Sequence, residues 1–231
     1  MAEQARGLRF IKGSLPDRIT GIIFDCDGVL IDSKRANMTY YNRLLAAVGR
    51  PPMTEKQETF VHMASEQQAV RYIMGEGHED LYRAAAVSVP YKDVVLPLLE
   101  LDEGVAETLA WLCEAGFKLA VHTNRGSGMW DLVDKFGLHG MFDPIMTAHD
   151  VNPKPSSEGV RRILDAWDVP PETVIFVGDS RADAGAAAGE RVPFVAFRNP
   201  RLAACAHVAH FHELRELVSP RRMHVSQIPK F

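Results

Sequence analysis

The amino-acid sequence predicts an α/β protein, a parallel sheet core covered by helices on both faces, with an all-helical cap domain inserted after the first strand. Three observations carry this. From about residue 102 onward, strand-like and helix-like stretches take turns, as parallel strands joined by crossover helices require. Between 34 and 101 every signal is helical. Ahead of both, the apolar run Gly21-Ile22-Ile23-Phe24 ends in Asp25-Cys26-Asp27-Gly28, a buried-strand pattern delivering two acids to a turn.

In chain order, residues up to about Ile19 read as a polar lead-in whose first positions are mobile. After the opening strand, Asp32-Ser33 caps a helix from Lys34 to Val48, closed by Gly49 and Pro51-Pro52. Thr54-x-x-Gln57 and Ser65-x-x-Gln68 fit capping boxes and start two more helices, the second carrying Val70, Ile73 and Met74 at helical spacing. Helices are expected over Glu79 to Val89 and Tyr91 to Glu100, with Pro90 and Pro97 as punctuation. Val105, Leu109, Leu112 and Cys113 mark a helix face that stops at Gly116, and a strand follows over Lys118 to Val121.

The alternation continues with a helix over Gly128 to Phe136, a short strand within Pro144 to Thr147, and a helix presenting Val160, Ile163, Leu164 and Trp167. Lys154 is expected at the start of that helix. Thr173 to Val177 reads as a strand delivering Gly178-Asp179-Ser180-Arg181-Ala182-Asp183, followed by an alanine-rich helix and a strand over Pro193 to Phe197. The domains follow: an α/β core from 1–33 and 102–219, a helical cap over 34–101, and a loosely held tail over 220–231.

Composition narrows the partners. A chain of 231 residues with 46% hydrophobic and 24% charged residues suits a globular domain carrying an insertion. A net charge of -4 and a pI near 6.1 argue against a nucleic-acid surface. No apolar run reaches bilayer length, and the start lacks the apolar core of a secretory signal, so no membrane is expected and the location is read as cytoplasmic. Cys26, Cys113 and Cys205 match neither a metal spacing nor a disulfide framework.

The chemistry starts at the acidic pair. Strand side chains alternate, so Asp25 and Asp27 point into one space while Phe24 and Cys26 pack the other way. Two carboxylates at the mouth of a buried strand need a positive partner, and hard oxygen ligands suit magnesium. In an open parallel sheet, ligands bind beyond the carboxyl ends of the strands. Thr123 and Asn124 end the second long strand, Asp179 and Asp183 follow the third, and Lys154 comes from a loop. Acids, a hydroxyl, an amide and an ammonium therefore gather at one sheet edge.

These residues resemble the signature motifs of the haloacid dehalogenase superfamily, in order: FDCDGVL from Phe24, HTN ending at Asn124, Lys154-Pro155, and GDSRAD from Gly178. The resemblance spans about Ile19 to Val218, and the helical insertion is similar to the cap of the subgroup holding phosphoglycolate phosphatase, beta-phosphoglucomutase and the dehalogenases. It implies a Rossmann-like core and Mg2+-dependent hydrolysis of a small phosphorylated metabolite by a monomer or homodimer. Asp25 would be the nucleophile that becomes an aspartyl phosphate, and Asp27 the acid and base. The resemblance adds the metal ligands, namely Asp25, the backbone carbonyl of Asp27, and Asp179, with Asp183 outside them. Lys154, Thr123 and the Asn124 backbone would counter the phosphoryl charge.

Four further residues draw attention. His122 is read as a core residue, His62 as a candidate in the cap's specificity loop, and Cys26 as a packed thiol. Arg125 either approaches the phosphate or covers the surface. Asp27 argues against a dehalogenase, whose leaving group needs no acid, and against a phosphonate hydrolase. Thr123-Asn124-Arg125 leans to the phosphatases over the sugar phosphomutases, the nearest alternative, with a non-catalytic binding protein further off.

Overall fold

The computed structural model describes residues 9–10, 15–16, 18–64, 66–126 and 128–219, apart from the side chains at 9, 10, 62 and 63. Its elements run β1 (Arg9–Phe10), β2 (Gly21–Phe24), α1 (Lys34–Ala47), α2 (Glu55–Met63), α3 (Glu66–Met74), α4 (Glu79–Ser88) and α5 (Tyr91–Val94). They continue with α6 (Val105–Glu114), β3 (Lys118–His122), α7 (Gly128–Phe136), β4 (Ile145–Met146), α8 (Glu158–Trp167) and β5 (Val174–Gly178). Last come α9 (Arg181–Gly189), β6 (Phe194–Phe197), β7 (Ala206–Val208) and α10 (Glu213–Val218).

One seven-stranded sheet has the order β1-β7-β6-β5-β2-β3-β4, parallel throughout except for β1 against β7. β2 lies between β3 and β5, with Gly21 opposite both Lys118 and Val174. That central place is why it is apolar at every position. Ile22 and Phe24 face a core shared with α6, α7 and α10, whereas Ile23 faces a second core built with α8 and α9. Gly21 leaves room for Trp167, whose ring would stand 2.5 Å from a Cβ there.

The helical insertion belongs to the first core, through Tyr40, Tyr41 and Leu44 of α1 and Val70, Ile73 and Met74 of α3. Thr54 caps α2 in the expected capping box with Gln57. The two connections between insertion and core run side by side. Ile31 bridges Leu101, the Asp102 amide donates to the Leu30 carbonyl (2.9 Å), and Arg198 grips the Asp102 carboxylate.

Several expectations are corrected. The helix expected over Tyr91 to Glu100 ends at Val94 and tightens into a 3-10 turn over Leu96–Leu98, where Pro97 has no amide to continue it. Lys135 then donates to the Leu96 and Leu99 carbonyls at 2.5 and 2.7 Å. Lys154 does not begin a helix: Pro155 disfavours helical backbone before it, and α8 starts at Glu158. Cys113 lies off the buried stripe of α6 and is exposed. The lead-in contributes β1, and β7 and α10 extend the core beyond Phe197. The capping box at Ser65 and the tail over 220–231 lie outside the described residues.

Candidate active site

The three central strands and one loop bring the acidic residues together. The Asp25 amide donates to the Val177 carbonyl (2.9 Å), extending the pairing of β2 with β5 by one residue past the strand. Beyond it the chain folds over the Cys26 carbonyl, which accepts from Leu30 at 2.9 Å and Ile31 at 3.1 Å. Gly28 in this turn has φ 82°, and a Cβ there would run into the Asp179 carboxylate. The first acidic loop and the third strand end can approach only because that residue is glycine.

Asp179 and Asp183 are set by the start of α9. Ser180 caps the helix, its amide donating to Asp183 Oδ2 (3.0 Å) while its hydroxyl accepts from the Asp183 amide (3.2 Å). This leaves Asp183 Oδ1 for Lys154, whose Nζ stands 2.5 Å from it and 2.7 Å from Asp25 Oδ1. Lys154 is 4% exposed and Asp183 0%. The lysine is held by Asn124, whose Oδ1 accepts from the Lys154 amide (2.7 Å) and whose Nδ2 donates to its carbonyl (3.2 Å). The Asn124 side chain thus fastens the lysine loop, a role that its neighbourhood in sequence does not signal. Thr123 is buried beside it, its hydroxyl accepting from the Arg125 amide (3.0 Å).

Carboxylate oxygens of Asp25, Asp179 and Asp183 lie within 4.8 Å of one another. One ammonium cannot balance three carboxylates this close together, two of them buried, and the ionisation of Asp25 and Asp179 reflects it. Desolvation first, then the Asp183 charge, holds the Asp25 carboxyl well above its usual range. Burial and Asp183 push Asp179 up to about 7. Burial pulls the Lys154 ammonium down, but Asp183 and Asp25 more than reverse this, so it stays charged. An excess of hard, negatively charged oxygens in a water-poor pocket fits a divalent cation such as magnesium. Asp25 and Asp179 have carboxylate oxygens to offer it, whereas both oxygens of Asp183 are already engaged by Lys154 and Ser180.

Asp27 stands on the wall of the same pocket, outside the three-carboxylate group, and is paired with an arginine. Arg125 grips both its carboxylate oxygens, Nε standing 3.1 Å from Oδ2 and the terminal nitrogen meeting Oδ1. The guanidinium is buried and also donates to the Tyr91 hydroxyl from α5. Arg125 is therefore buried on the wall of the pocket and does not cover the surface, and Tyr91 joins the site without any motif to announce it. His122 lies on the second core, its ring near Phe176, with burial lowering its pKa to about 3. Cys26 is a buried thiol, and the side chain of His62 is outside the described residues. Above the acids lies a cleft of about 280 Å³ walled by Asp25, Asp27, Lys154 and Asp179 from the core and by Tyr40, Tyr41, Glu66 and Tyr91 from the insertion.

Comparison with known proteins places this arrangement. The family described as "Haloacid dehalogenase-like hydrolase" matches residues 22–197, which hold every acid of the cluster. Among curated proteins, a phosphoglycolate phosphatase of Pseudomonas putida is 29% identical over 200 residues, covering 78% of this chain and 68% of its own. Pyrophosphatase PpaX of Halalkalibacterium halodurans is 30% identical over 183 residues, covering 71% of this chain and 77% of its own. Among solved structures, a HAD-superfamily hydrolase of subfamily IA from Geobacter sulfurreducens has a TM-score of 0.72 at 32% identity, covering 88% of this chain and 97% of that one. With the match spanning the central strands, the insertion and the acidic cluster together, the chain belongs to the haloacid dehalogenase-like hydrolase family.

Proposed function

We propose that this hydrolase is a magnesium-dependent phosphatase that cleaves a small phosphomonoester of the phosphoglycolate type through a phosphoryl group carried on Asp25. The observation that carries the reading is the buried Lys154 ammonium, 2.7 Å from Asp25 and 2.5 Å from Asp183, at the floor of the cleft. A lysine held there meets both the nucleophile and the charge that a transferring phosphoryl group brings. Asp25, the Asp27 backbone carbonyl and Asp179 would hold the magnesium, which supplies charge neutralisation to the phosphate when bound. The names of the Pseudomonas and Halalkalibacterium relatives support hydrolytic phosphoryl transfer, and the first makes phosphoglycolate the substrate to try first.

The chain's own groups divide the reaction into two displacements. In the first, an Asp25 oxygen attacks phosphorus as the bond to the leaving oxygen breaks, and Asp27 gives that oxygen a proton. In the second, water attacks phosphorus, Asp27 takes its proton, and the Asp25 oxygen departs. Lys154, Thr123 and the Asn124 backbone stabilise the equatorial oxygens in both, while Asp183 orients the lysine. The core over 1–33 and 102–219 supplies this machinery, and the cap over 34–101 roofs it against bulk water. No described helix is long and apolar enough to cross a membrane, which fits a cytoplasmic enzyme with small-molecule substrates.

A panel of phosphorylated metabolites, assayed for released phosphate with magnesium and with EDTA, tests the reading. Phosphate release that magnesium supports and EDTA abolishes is the expected result, with phosphoglycolate among the good substrates. Sugar phosphates isomerised without net phosphate release would overturn it in favour of a mutase.

A further inference from the structure

We infer that Arg125 is a positioning residue for the acid-base carboxylate of Asp27, and that Tyr91 of the cap holds the arginine in place. This rests on Asp27 serving as acid and base as proposed above. The geometry is specific. The guanidinium meets Asp27 side-on, with two nitrogens on two different carboxylate oxygens, which fixes the plane of the carboxylate as well as its position. One oxygen can then take up and deliver a proton while the other keeps its donor, so the side chain need not swing between the two displacements.

The arginine is itself fastened from several sides. Its amide is held by Thr123 (3.0 Å), and its carbonyl accepts from the Ala148 amide (3.1 Å). Its remaining terminal nitrogen donates to the Tyr91 hydroxyl, and the guanidinium carbon lies 5.7 Å from the centroid of that ring. Tyr91 in turn packs edge-on against Tyr40 of α1, 5.1 Å between centroids. Gly128 at the start of α7 makes room for the contact, since a Cβ there would stand 3.1 Å from the Tyr91 ring. Also lining the cleft, Lys92 of α5 pairs with Asp131 of α7 at 2.7 Å, fixing the same cap helix over the same part of the core. Arg125 commits its side-on pair of donors to Asp27 and a terminal nitrogen to Tyr91, so its charge serves the carboxylate.

The test separates proton delivery from general damage through the leaving group. Wild type, Arg125→Met, Arg125→Lys and Tyr91→Phe are compared on the best alkyl phosphomonoester of the panel and on p-nitrophenyl phosphate, whose leaving group departs without a proton. For Arg125→Met, kcat on the alkyl ester should fall about 100-fold with KM within about threefold, the scale of an acid-base contribution. The first-turnover burst of p-nitrophenolate should change by less than about fivefold, because that step needs no acid. Arg125→Lys should recover part of the alkyl-ester rate, and Tyr91→Phe, which preserves the packing, should show a smaller loss with the same substrate dependence.

Equal losses on both esters in Tyr91→Phe and the Arg125 variants, or no loss on either, would overturn the role. Should Arg125→Met fail to fold, Tyr91→Phe and Arg125→Lys decide the matter alone. A wild-type enzyme that hydrolyses neither ester overturns the phosphatase reading and this role with it, whereas an active wild type with equal losses overturns the role alone.

Discussion

Lys154 shows how one side chain can be both structural and chemical. Its ammonium stands between Asp25 and Asp183 in a pocket where water does not screen them. Removing it should cost the reaction about 3 kcal/mol in barrier, a hundredfold or more in kcat. It should also cost about 3 to 5 kcal/mol in stability, because two buried carboxylates lose their counter-charge. Lys154→Ala, assayed for turnover and melted in parallel, is expected to lose both; a normal rate would remove the lysine from the mechanism. At this scale the sequence was informative about chemistry and silent about pairing. The acids at 25, 27, 179 and 183 stand out by type and by their place after strands, but the grip of Arg125 on Asp27 joins residues 98 positions apart. Nothing in local pattern encodes it, and Tyr91, a single aromatic in a cap helix, carries no spacing signal at all.

Among the elements, β3 illustrates what a central strand tolerates. Its two faces serve the two cores, and His122 is placed on the second of these, where both ring nitrogens are buried without a hydrogen-bond partner. Burial first, then the Lys154 charge, lowers its pKa from 6.5 to about 3. A depressed value means the unfolded chain binds the proton more readily. The neutral ring's share of stability is therefore present above pH 6.5 and lost as pH falls toward 3. His122→Leu should consequently melt progressively higher relative to wild type as pH drops from about 7 to 4.5. A difference independent of pH would refute this. Strands and helices with strong periodicity, such as α8 with its buried Val160, Ile163, Leu164 and Trp167, were legible from spacing alone. The misses share a cause: β1 and β7 are two and three residues long and get their pairing from the sheet edge, not from their own composition. The break after Val94 follows from Pro97 within an otherwise helical pattern.

At the scale of the whole molecule, the sheet and the insertion meet where the strands end. β2, β3 and β5 carry the acids, the amide and the hydroxyl to one edge, and the insertion leaves and re-enters through paired connections at Ile31 and Leu101. The cleft is thus walled from below by charge and from above by tyrosines. This fold class was readable because the order of elements, helices only and then strict alternation, admits few architectures. How the cap sits over the acids was not readable, since it depends on contacts such as Lys92 with Asp131 that cross from one unit to the other. The proposed reaction requires that Asp25 accept the phosphoryl group. The direct measurement is acid quenching during turnover of a phosphomonoester with magnesium, borohydride reduction of any acyl phosphate, and peptide mass analysis. Conversion of Asp25 to homoserine, with Asp27 unchanged and no conversion in the absence of substrate, is the predicted result. Steady phosphate release with the label on another residue, or with no phosphorylated enzyme at any time, would contradict it.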